Sequence, residues 1–230
     1  MLKITILTIC PEYFDSFLKT HVAQRALELG LAEVEILDMT KHAAWGYRQI
    51  DDSPYGGGPG LILRAKPVLE SLREARQKTE GPSRAVLLSP KGKPYDQQTA
   101  RRLAAEEHLI LICGHYEGID ARAEQAADEM ISLGDYILSG GEPAAMVVAD
   151  SVLRLLPGNL KEGSAEDESF EDGLLEYPQY TRPAEVEGMK VPEVLLSGNH
   201  EAIRQWRREE SLRITRELRP DLLESEKGSR

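Results

Sequence analysis

The chain has 230 residues, 41% of them hydrophobic and 29% charged, and its formal net charge is −11 at pH 7. This composition is typical of a globular protein long enough for one large domain or two unequal ones, and no apolar run approaches the roughly 20 residues that span a bilayer. The acidic balance argues against a protein that simply coats nucleic acid, although local basic patches still attract phosphate.

The N-terminal apolar run predicts a strand rather than a signal peptide. Residues 3–10 (KITILTIC) have the pattern of a buried strand, and Pro11 follows where a leader would need a small-residue cleavage site. With no basic leader and no membrane span, the sequence favours a cytoplasmic protein without a membrane partner. Pro11 suits the start of a helix, and Gly30 suits its end.

Strand and helix patterns then alternate along most of the chain. Further strands are predicted at residues 34–39, 84–90, 108–114 and 129–134. Helices are predicted at residues 65–77, at 96–107 with Asp96 as N-cap, and at 142–156. Residues 40–60 have no regular pattern. Because the strands are nearly continuous apolar runs, we expect an α/β fold with a parallel sheet covered on both faces.

Three loops that leave strand ends are rich in glycine or proline. They read LSPKGKP from Leu88, CGHYEGID from Cys113 and LGDYILSGGE from Leu133. Ligands of parallel sheets bind beyond the carboxyl ends of the strands, so we expect the three loops to form one pocket. None of them has the dinucleotide or P-loop spacing. A pocket walled by backbone groups suits an adenosine ligand without phosphates, such as S-adenosylmethionine.

The sequence becomes polar and acidic after Pro157. Residues 158–173 carry six carboxylates against one lysine, which is typical of a linker or mobile loop. We therefore predict a first domain at residues 1–158, an acidic linker at 159–175 and a small helical domain at 176–230.

The second domain contains a strong helix pattern at residues 199–218, with Asn199 as N-cap. Ile203 and Trp206 are predicted to face its core. From residue 204 to residue 219 there are six arginines against three glutamates, a local charge of +3 within an acidic protein. The helix is either a salt-bridged surface helix or a phosphate-binding one.

The cysteines and histidines do not predict a metal site. Cys10 and Cys113 each end an apolar run, which favours buried thiols over a disulfide or metal ligands. The five histidines show no metal-ligand spacing along the chain.

Seven stretches of the sequence carry a joint resemblance to one family. They read SPYGGGPG (53–60), LSPKGKPYDQ (88–97), LICGHYEGIDAR (111–122), GDYILSGGEPAAM (134–146), DSVLRLLPG (150–158), GLLEYPQYTRP (173–183) and VPEVLLSGNHEAIRQWR (191–207). Together they resemble the bacterial tRNA (guanine-N1)-methyltransferases of the TrmD type. The resemblance implies a SPOUT-class α/β fold with a deep trefoil knot, S-adenosylmethionine bound in the knot loops, and a homodimer with active sites at its interface. It also implies methylation of N1 of guanosine 37 in tRNA.

The resemblance assigns a cofactor pocket to the three loops. Its residues are Leu88, Ser89, Pro90, Gly114, Tyr116, Glu117, Gly118, Leu133, Gly134, Asp135, Tyr136, Ile137, Leu138, Gly140 and Gly141. Glycines there let the backbone approach a ligand closely. For a single loop an ordinary tight turn would be the better interpretation, but three loops together favour a binding pocket.

The reaction needs a base for the N1 proton and a donor for the negative charge that develops at O6. Arg154 matches the family's arginine for O6; without the resemblance it reads as a helix-end arginine that complements the dipole. The family has an aspartate directly before Ser-Phe, whereas Glu168 stands there in this chain and Asp167 precedes it. Either carboxylate can be the base. Mg²⁺ can bridge carboxylates of this segment, and the resemblance implies its use.

Two further groups are expected to contact the substrate. By resemblance, guanine meets Asp51 and Asp52 and the glycine-rich run Gly57, Gly58, Pro59 and Gly60. Without it, the two aspartates read as a turn-capping pair. The tRNA phosphates are assigned to Arg204, Arg207 and Arg208, neighbours on one helix. A non-catalytic RNA-binding protein and, more weakly, an ATP-using enzyme are the alternative interpretations.

Overall fold

A computed structural model describes residues 1–43, 49–160, 168–170 and 173–225. The chain forms two compact units, Met1–Leu160 and Lys161–Arg230. Within the described ranges, none of the helices combines the length and the apolarity needed to cross a membrane.

The strands are β1 (Leu2–Thr8), β2 (Ala32–Asp38), β3 (Asp51–Asp52), β4 (Ile62–Leu63), β5 (Ser83–Pro94), β6 (His108–Cys113), β7 (Glu129–Ser132), β8 (Glu185–Val186) and β9 (Met189–Lys190). The helices are α1 (Phe14–Phe17), α2 (His21–Glu28), α3 (Ala65–Arg76), α4 (Gln97–Ala104), α5 (Ala121–Glu124), α6 (Glu142–Arg154), α7 (Glu193–Leu196), α8 (His200–Leu218) and α9 (Pro220–Ser225).

The first unit is an α/β fold around a parallel sheet, as the sequence predicts. The strand order is β2-β1-β6-β5-β7, and every neighbouring pair is parallel. Alternate residues of β6 pack on opposite faces: Leu109 and Leu111 lie in a cluster with α2, α4 and α6, whereas Ile110 and Ile112 pack with α3 and α5. Both faces are therefore covered, which explains the continuous apolar runs.

The helix predicted to run from Pro11 to Gly30 is wrong. Pro11–Tyr13 form a 3₁₀ turn, α1 follows, and Thr20 is extended (φ −68°, ψ 151°) before α2 begins. The Thr20 hydroxyl donates to the Phe17 carbonyl at 2.8 Å. A short polar side chain that bonds the local backbone competes with helix continuation, which accounts for the break.

β5 extends four residues past its predicted end at Pro90. Its register with β7 shifts between Leu88 and Lys93, so residues 89–92 form an irregular excursion within the strand. A Cβ on Gly92 would overlap the backbone of Ile131 and lie 2.5 Å from the Met130 carbonyl carbon. The backbones of β5 and β7 thus lie closer together at Gly92 than any residue other than glycine permits.

The second unit contains the β8–β9 hairpin and α7 to α9. Asn199 accepts from the backbone N–H groups of Glu201 and Ala202, so the predicted N-cap is confirmed. Ile203 and Trp206 are only half-buried rather than core residues. The Leu175 N–H donates to Thr215 Oγ1 on α8 at 2.8 Å, so the end of the predicted linker packs within this unit.

Candidate active site

A pocket of about 400 Å³ lies at the carboxyl ends of β6 and β7 and beside residues 87–91 of β5, where the register of that strand shifts. Because β5 lies between β6 and β7 in the sheet, its irregular segment and the loops that follow β6 and β7 meet at one edge. All the predicted cofactor residues line the pocket except Asp135, which is exposed and lies outside its wall. The remaining lining residues, not predicted, are Leu87, Lys91, His115, Ile119, Glu124, Ile131, Ser132, Ser139 and Ala144. Most of them lie next to predicted residues in the sequence, so extending each predicted segment by one or two positions would have included them.

Backbone pairing joins two of the pocket loops. The Gly141 N–H donates to the Gly114 carbonyl at 2.7 Å, and His115 and Gly140 form an antiparallel bridge. A Cβ on Gly141 would lie 2.7 Å from Cys113 Cα and 2.9 Å from the Gly114 nitrogen. Because Gly141 has an ordinary helical backbone (φ −79°, ψ −9°), space rather than conformation demands glycine there.

The predicted guanine-binding segment is attached to the same loops. The Glu117 N–H donates to the Leu61 carbonyl, and Leu63 and Gly118 are joined by a backbone hydrogen bond of 2.9 Å. Tyr116 lies beside Asp51: burial, and then the hydrogen bond to the Asp51 carboxylate, raise the pKa of the Tyr116 hydroxyl. Asp51 thus contacts a residue of the pocket lining without being part of that lining itself.

Asp52 lies in a second, more polar cavity of about 630 Å³. Its carboxylate accepts from Arg64 at 2.7 Å. Lys66, Arg73 and Arg122 also line this cavity. The cavity is thus rich in cationic side chains, although the chain as a whole is acidic.

The glycine-rich run Gly57, Gly58, Pro59 and Gly60 is exposed. Its glycines have positive φ, which other residues seldom adopt. A Cβ on Gly60 would overlap the Glu117 side chain of the pocket, so this run also reaches the pocket wall.

The predicted catalytic residues fall in different units. Arg154 is half-buried and ends α6, the helix whose first turn borders the pocket. Glu168 is half-buried in the second unit, close to Ser169, whose hydroxyl accepts from the Glu176 N–H. Asp167 lies outside the described residues, as do the other carboxylates predicted to serve as Mg²⁺ ligands.

Of the three predicted phosphate-binding arginines, only two are exposed. Arg204 and Arg208 face solvent. The Arg207 guanidinium lies 4.6 Å from the centre of the Tyr177 ring, and its side chain is half-buried. This cation–π contact gives Arg207 a packing role within the second unit.

Comparison with known proteins decides the family. The sequence profile of the tRNA (Guanine-1)-methyltransferase TrmD family matches residues 2–225. The chain belongs to this family.

Similar proteins named tRNA (guanine-N(1)-)-methyltransferase come from several organisms. The one from Geobacillus kaustophilus strain HTA426 is 50% identical over 226 residues, which cover 97% of this chain and 92% of the relative. The one from Clostridium perfringens strain SM101 is 49% identical over 230 residues, covering 100% of this chain and 96% of the relative. That from Sulfurihydrogenibium sp. strain YO3AOP1 is 48% identical over 229 residues, 99% of this chain and 90% of the relative.

A polar cluster lies behind the pocket wall. Glu142, in the first turn of α6, is 1% exposed, and its Oε1 accepts from the Thr8 hydroxyl at 2.8 Å. Cys10 and His115 lie next to it. Burial, and then the Glu142 carboxylate, raise the pKa of the Cys10 thiol. Cys113 is fully buried as predicted, whereas Cys10 is half-buried.

Proposed function

We propose that the protein transfers a methyl group from S-adenosylmethionine to N1 of guanosine 37 in tRNA. Family membership over nearly the whole chain supports this function. The observation that carries it is the convergence of the loops after β6 and β7 and the irregular segment of β5 on one glycine-edged pocket at the carboxyl edge of the sheet. Such an edge is where parallel sheets bind ligands.

The pocket suits S-adenosylmethionine in size and chemistry. Its volume of about 400 Å³ lies within the range of small-molecule sites. Leu88, Leu133 and Leu138 offer apolar walls, and Gly114 and Gly140 add no side chains to the part of the lining that they form. When bound, the cofactor supplies an electrophilic methyl group on its sulfonium.

The chain's own residues handle the proton and the charge of guanine. Glu168 or Asp167 takes the proton from N1, which leaves the nitrogen lone pair free to accept the methyl group. Arg154 donates to O6, where negative charge develops. Asp51, beside Tyr116 at the pocket wall, accepts from the guanine edge and so selects guanine over adenine.

We also propose the deep trefoil knot of the SPOUT class. It is supported by the close chain crossings at Gly92 and Gly141, where only glycine fits between two backbones. A homodimer is supported by exposed apolar residues along the last pocket loop and on α6: Tyr136, Ile137, Leu138 and Val147. Sedimentation equilibrium should give twice the mass of one chain.

The second unit is proposed as the helical tRNA-binding domain, with Arg204 and Arg208 on the phosphate backbone. Both are exposed on α8, where a phosphate can reach them. Mg²⁺ is proposed as a further cofactor, held by carboxylates of the acidic segment. Glu168 is the one of these carboxylates that lies within the described residues. A cytoplasmic location is proposed because tRNA is the substrate.

Methyl transfer from labelled S-adenosylmethionine tests the function. An unmodified tRNA with G36 and G37 is compared with the same tRNA carrying A37. Label on the first alone is expected. Label on both would refute the position, and label on neither, with the cofactor bound, would favour a non-catalytic RNA-binding protein. Binding of ATP in place of S-adenosylmethionine would favour an ATP-using enzyme.

Three variants then assign the base. Glu168→Gln removes the carboxylate and keeps the shape, Glu168→Asp restores the residue usual in the family, and Asp167→Asn tests the neighbour. If Glu168 is the base, Glu168→Gln should lower the single-turnover rate about 10²–10⁴-fold, and Asp167→Asn should not. The reverse pattern would assign the base to Asp167.

A further inference from the structure

Three side chains of metal-ligand type meet behind the pocket loops. Cys10 Sγ, a ring nitrogen of His115 and a carboxylate oxygen of Glu142 all lie within 4.8 Å of one another. Cys10 follows β1, His115 follows β6 and Glu142 begins α6. Since β1 and β6 are neighbouring parallel strands, their carboxyl ends bring Cys10 and His115 together. The bridge between His115 and Gly140 then brings the start of α6 to the same point.

Within the part of the chain that the structure describes, two polar atoms of this cluster are buried without a hydrogen-bond partner. Glu142 Oε1 is satisfied by Thr8, but Oε2 is not, and neither is His115 Nδ1. These two atoms are 3.5 Å apart, yet they form no hydrogen bond with each other. Leaving a buried carboxylate oxygen without a donor or a cation is unfavourable. Among the described residues, Glu142 Oε2 thus lacks a hydrogen-bond donor and has only the His115 ring within ion-pair distance, so a bound cation would satisfy both atoms.

Gly140 leaves the space between these atoms open. A Cβ there would overlap Glu142 Oε2 and lie 2.5 Å from His115 Nδ1. Gly140 does not have a positive φ, so its backbone conformation is open to other residues. Glycine at this position is explained by the space beside the two unsatisfied atoms.

We propose that Cys10, His115 and Glu142 form a binding site for a thiophilic divalent cation of the zinc class. One sulfur, one nitrogen and one oxygen are a donor set that Zn²⁺ accepts, with a water molecule in the fourth tetrahedral position. Donors of a tetrahedral zinc ion lie roughly 3.3–3.8 Å apart, given bond lengths of about 2.0–2.3 Å. Atoms within 4.8 Å of one another need approach by only about 1 Å.

The donor set also separates this site from the proposed Mg²⁺ site. Magnesium requires octahedral oxygen coordination, whereas thiolate and imidazole select zinc and similar ions. On binding, the ion replaces the thiol proton of Cys10, which leaves to solvent. His115 also lines the cofactor pocket, so the ion would lie at the pocket wall. The site does not depend on the proposed methyl transfer.

Cobalt is the probe for this site, because tetrahedral Co²⁺ is coloured where Zn²⁺ is not. The full-length protein is first treated with chelator and then titrated with Co²⁺. A thiolate-to-cobalt charge-transfer band and tetrahedral d–d bands should appear and saturate at about one ion per chain. Zn²⁺ should abolish them, and excess Mg²⁺ should not. Absence of a charge-transfer band in the wild-type protein would overturn the proposal.

The chain provides a matched pair of cysteines for the variants. Cys10→Ala should lose the charge-transfer band, whereas Cys113→Ala should keep it, because Cys113 is outside the cluster. Gly140→Ala keeps all three ligands but fills the space, and it should weaken Co²⁺ binding at least tenfold. Far-UV circular dichroism of the metal-free proteins checks folding. A band that survives in Cys10→Ala would refute the site.

A measurement on the unchanged protein covers the case in which a variant does not fold. Cys10 is half-buried and accessible to a small alkylating reagent, whereas Cys113 is fully buried. One equivalent of Zn²⁺ should slow alkylation of Cys10 at least tenfold, as measured by peptide mass spectrometry. An unchanged rate would contradict thiolate coordination.

Discussion

Gly141→Ala should destabilise the first unit far more than Gly114→Ala, although both glycines line the same pocket. The Cβ on residue 141 would lie 2.7 Å from Cys113 Cα, whereas ordinary contacts begin at 3.4 Å. The two backbone segments must therefore separate by about 0.7 Å. The same movement would lengthen the 2.7 Å hydrogen bond from Gly141 to Gly114 to about 3.4 Å, beyond the normal range.

The expected cost follows from these two effects. Overpacking of this kind costs about 1–3 kcal/mol, and the lost hydrogen bond costs about 1 kcal/mol. The reduced freedom of the unfolded chain offsets about 0.5 kcal/mol. The net loss of about 1.5–3.5 kcal/mol corresponds to a fall in Tm of roughly 3–14 °C for a unit of this size.

Gly114→Ala is the control because its Cβ would meet no atom of the described residues closer than 3.7 Å and its φ is not positive. Its Tm should stay within about 3 °C of the wild type, since the altered freedom of the unfolded chain is the main remaining effect. Thermal unfolding followed by circular dichroism measures both variants. Equal Tm values for the two, or a Gly141→Ala protein as stable as wild type, would refute the argument that the chains cross too closely for a methyl group.

Three further predictions concern other parts of the chain. Burial, and then the charge of nearby Lys3, lower the pKa of His108 below 6.5. The free energy of unfolding should therefore be highest above about pH 6.5 and fall below that pH. In urea unfolding, the fall between about pH 7.5 and pH 5 should be smaller for His108→Gln than for the wild type. The Arg122 guanidinium lowers the pKa of Asp120 from 3.8 to about 2. The contribution of this pair to stability is therefore present above about pH 3.8 and lost as the pH falls through about 2. Asp120→Asn should therefore cost up to about 1 kcal/mol at neutral pH, because solvent screens the exposed guanidinium, and almost nothing well below pH 2. Arg208→Ala should lower the slope of log affinity for tRNA against log salt by about 1 without changing Tm, whereas Arg207→Ala should cost about 0.5–1 kcal/mol of stability.

Local patterns were enough for most elements of the first unit. The apolar runs gave the five strands of the parallel sheet, and Asp96 caps α4 as predicted by accepting from the Thr99 N–H at 2.8 Å. Local sequence patterns failed to predict the backbone path where a single polar side chain changed it, as at Thr20. The extension of β5 to Pro94 was also missed, because it depends on pairing with Ile131, almost forty residues away.

The candidate site was predicted where its residues are contiguous in loops and missed where they are not. The glycines of the three loops give a signal in sequence because close backbone approach demands them. The contact between Thr8 and Glu142 joins residues 134 positions apart, and the neighbourhood of Cys10 and His115 arises only from strand order. No spacing rule along the chain can predict a cluster assembled by the order of strands in a sheet.

The position of β1 between β2 and β6 has a consequence for synthesis on the ribosome. β2 is complete at Asp38, but β6 begins only at His108, about 70 residues later. At elongation rates of about 5–20 residues per second, one edge of β1 has no strand to pair with for roughly 4–14 s. An apolar strand with an open edge is prone to pair with other chains. We therefore expect the nascent chain to be most prone to pairing with other chains in the interval before β6 emerges.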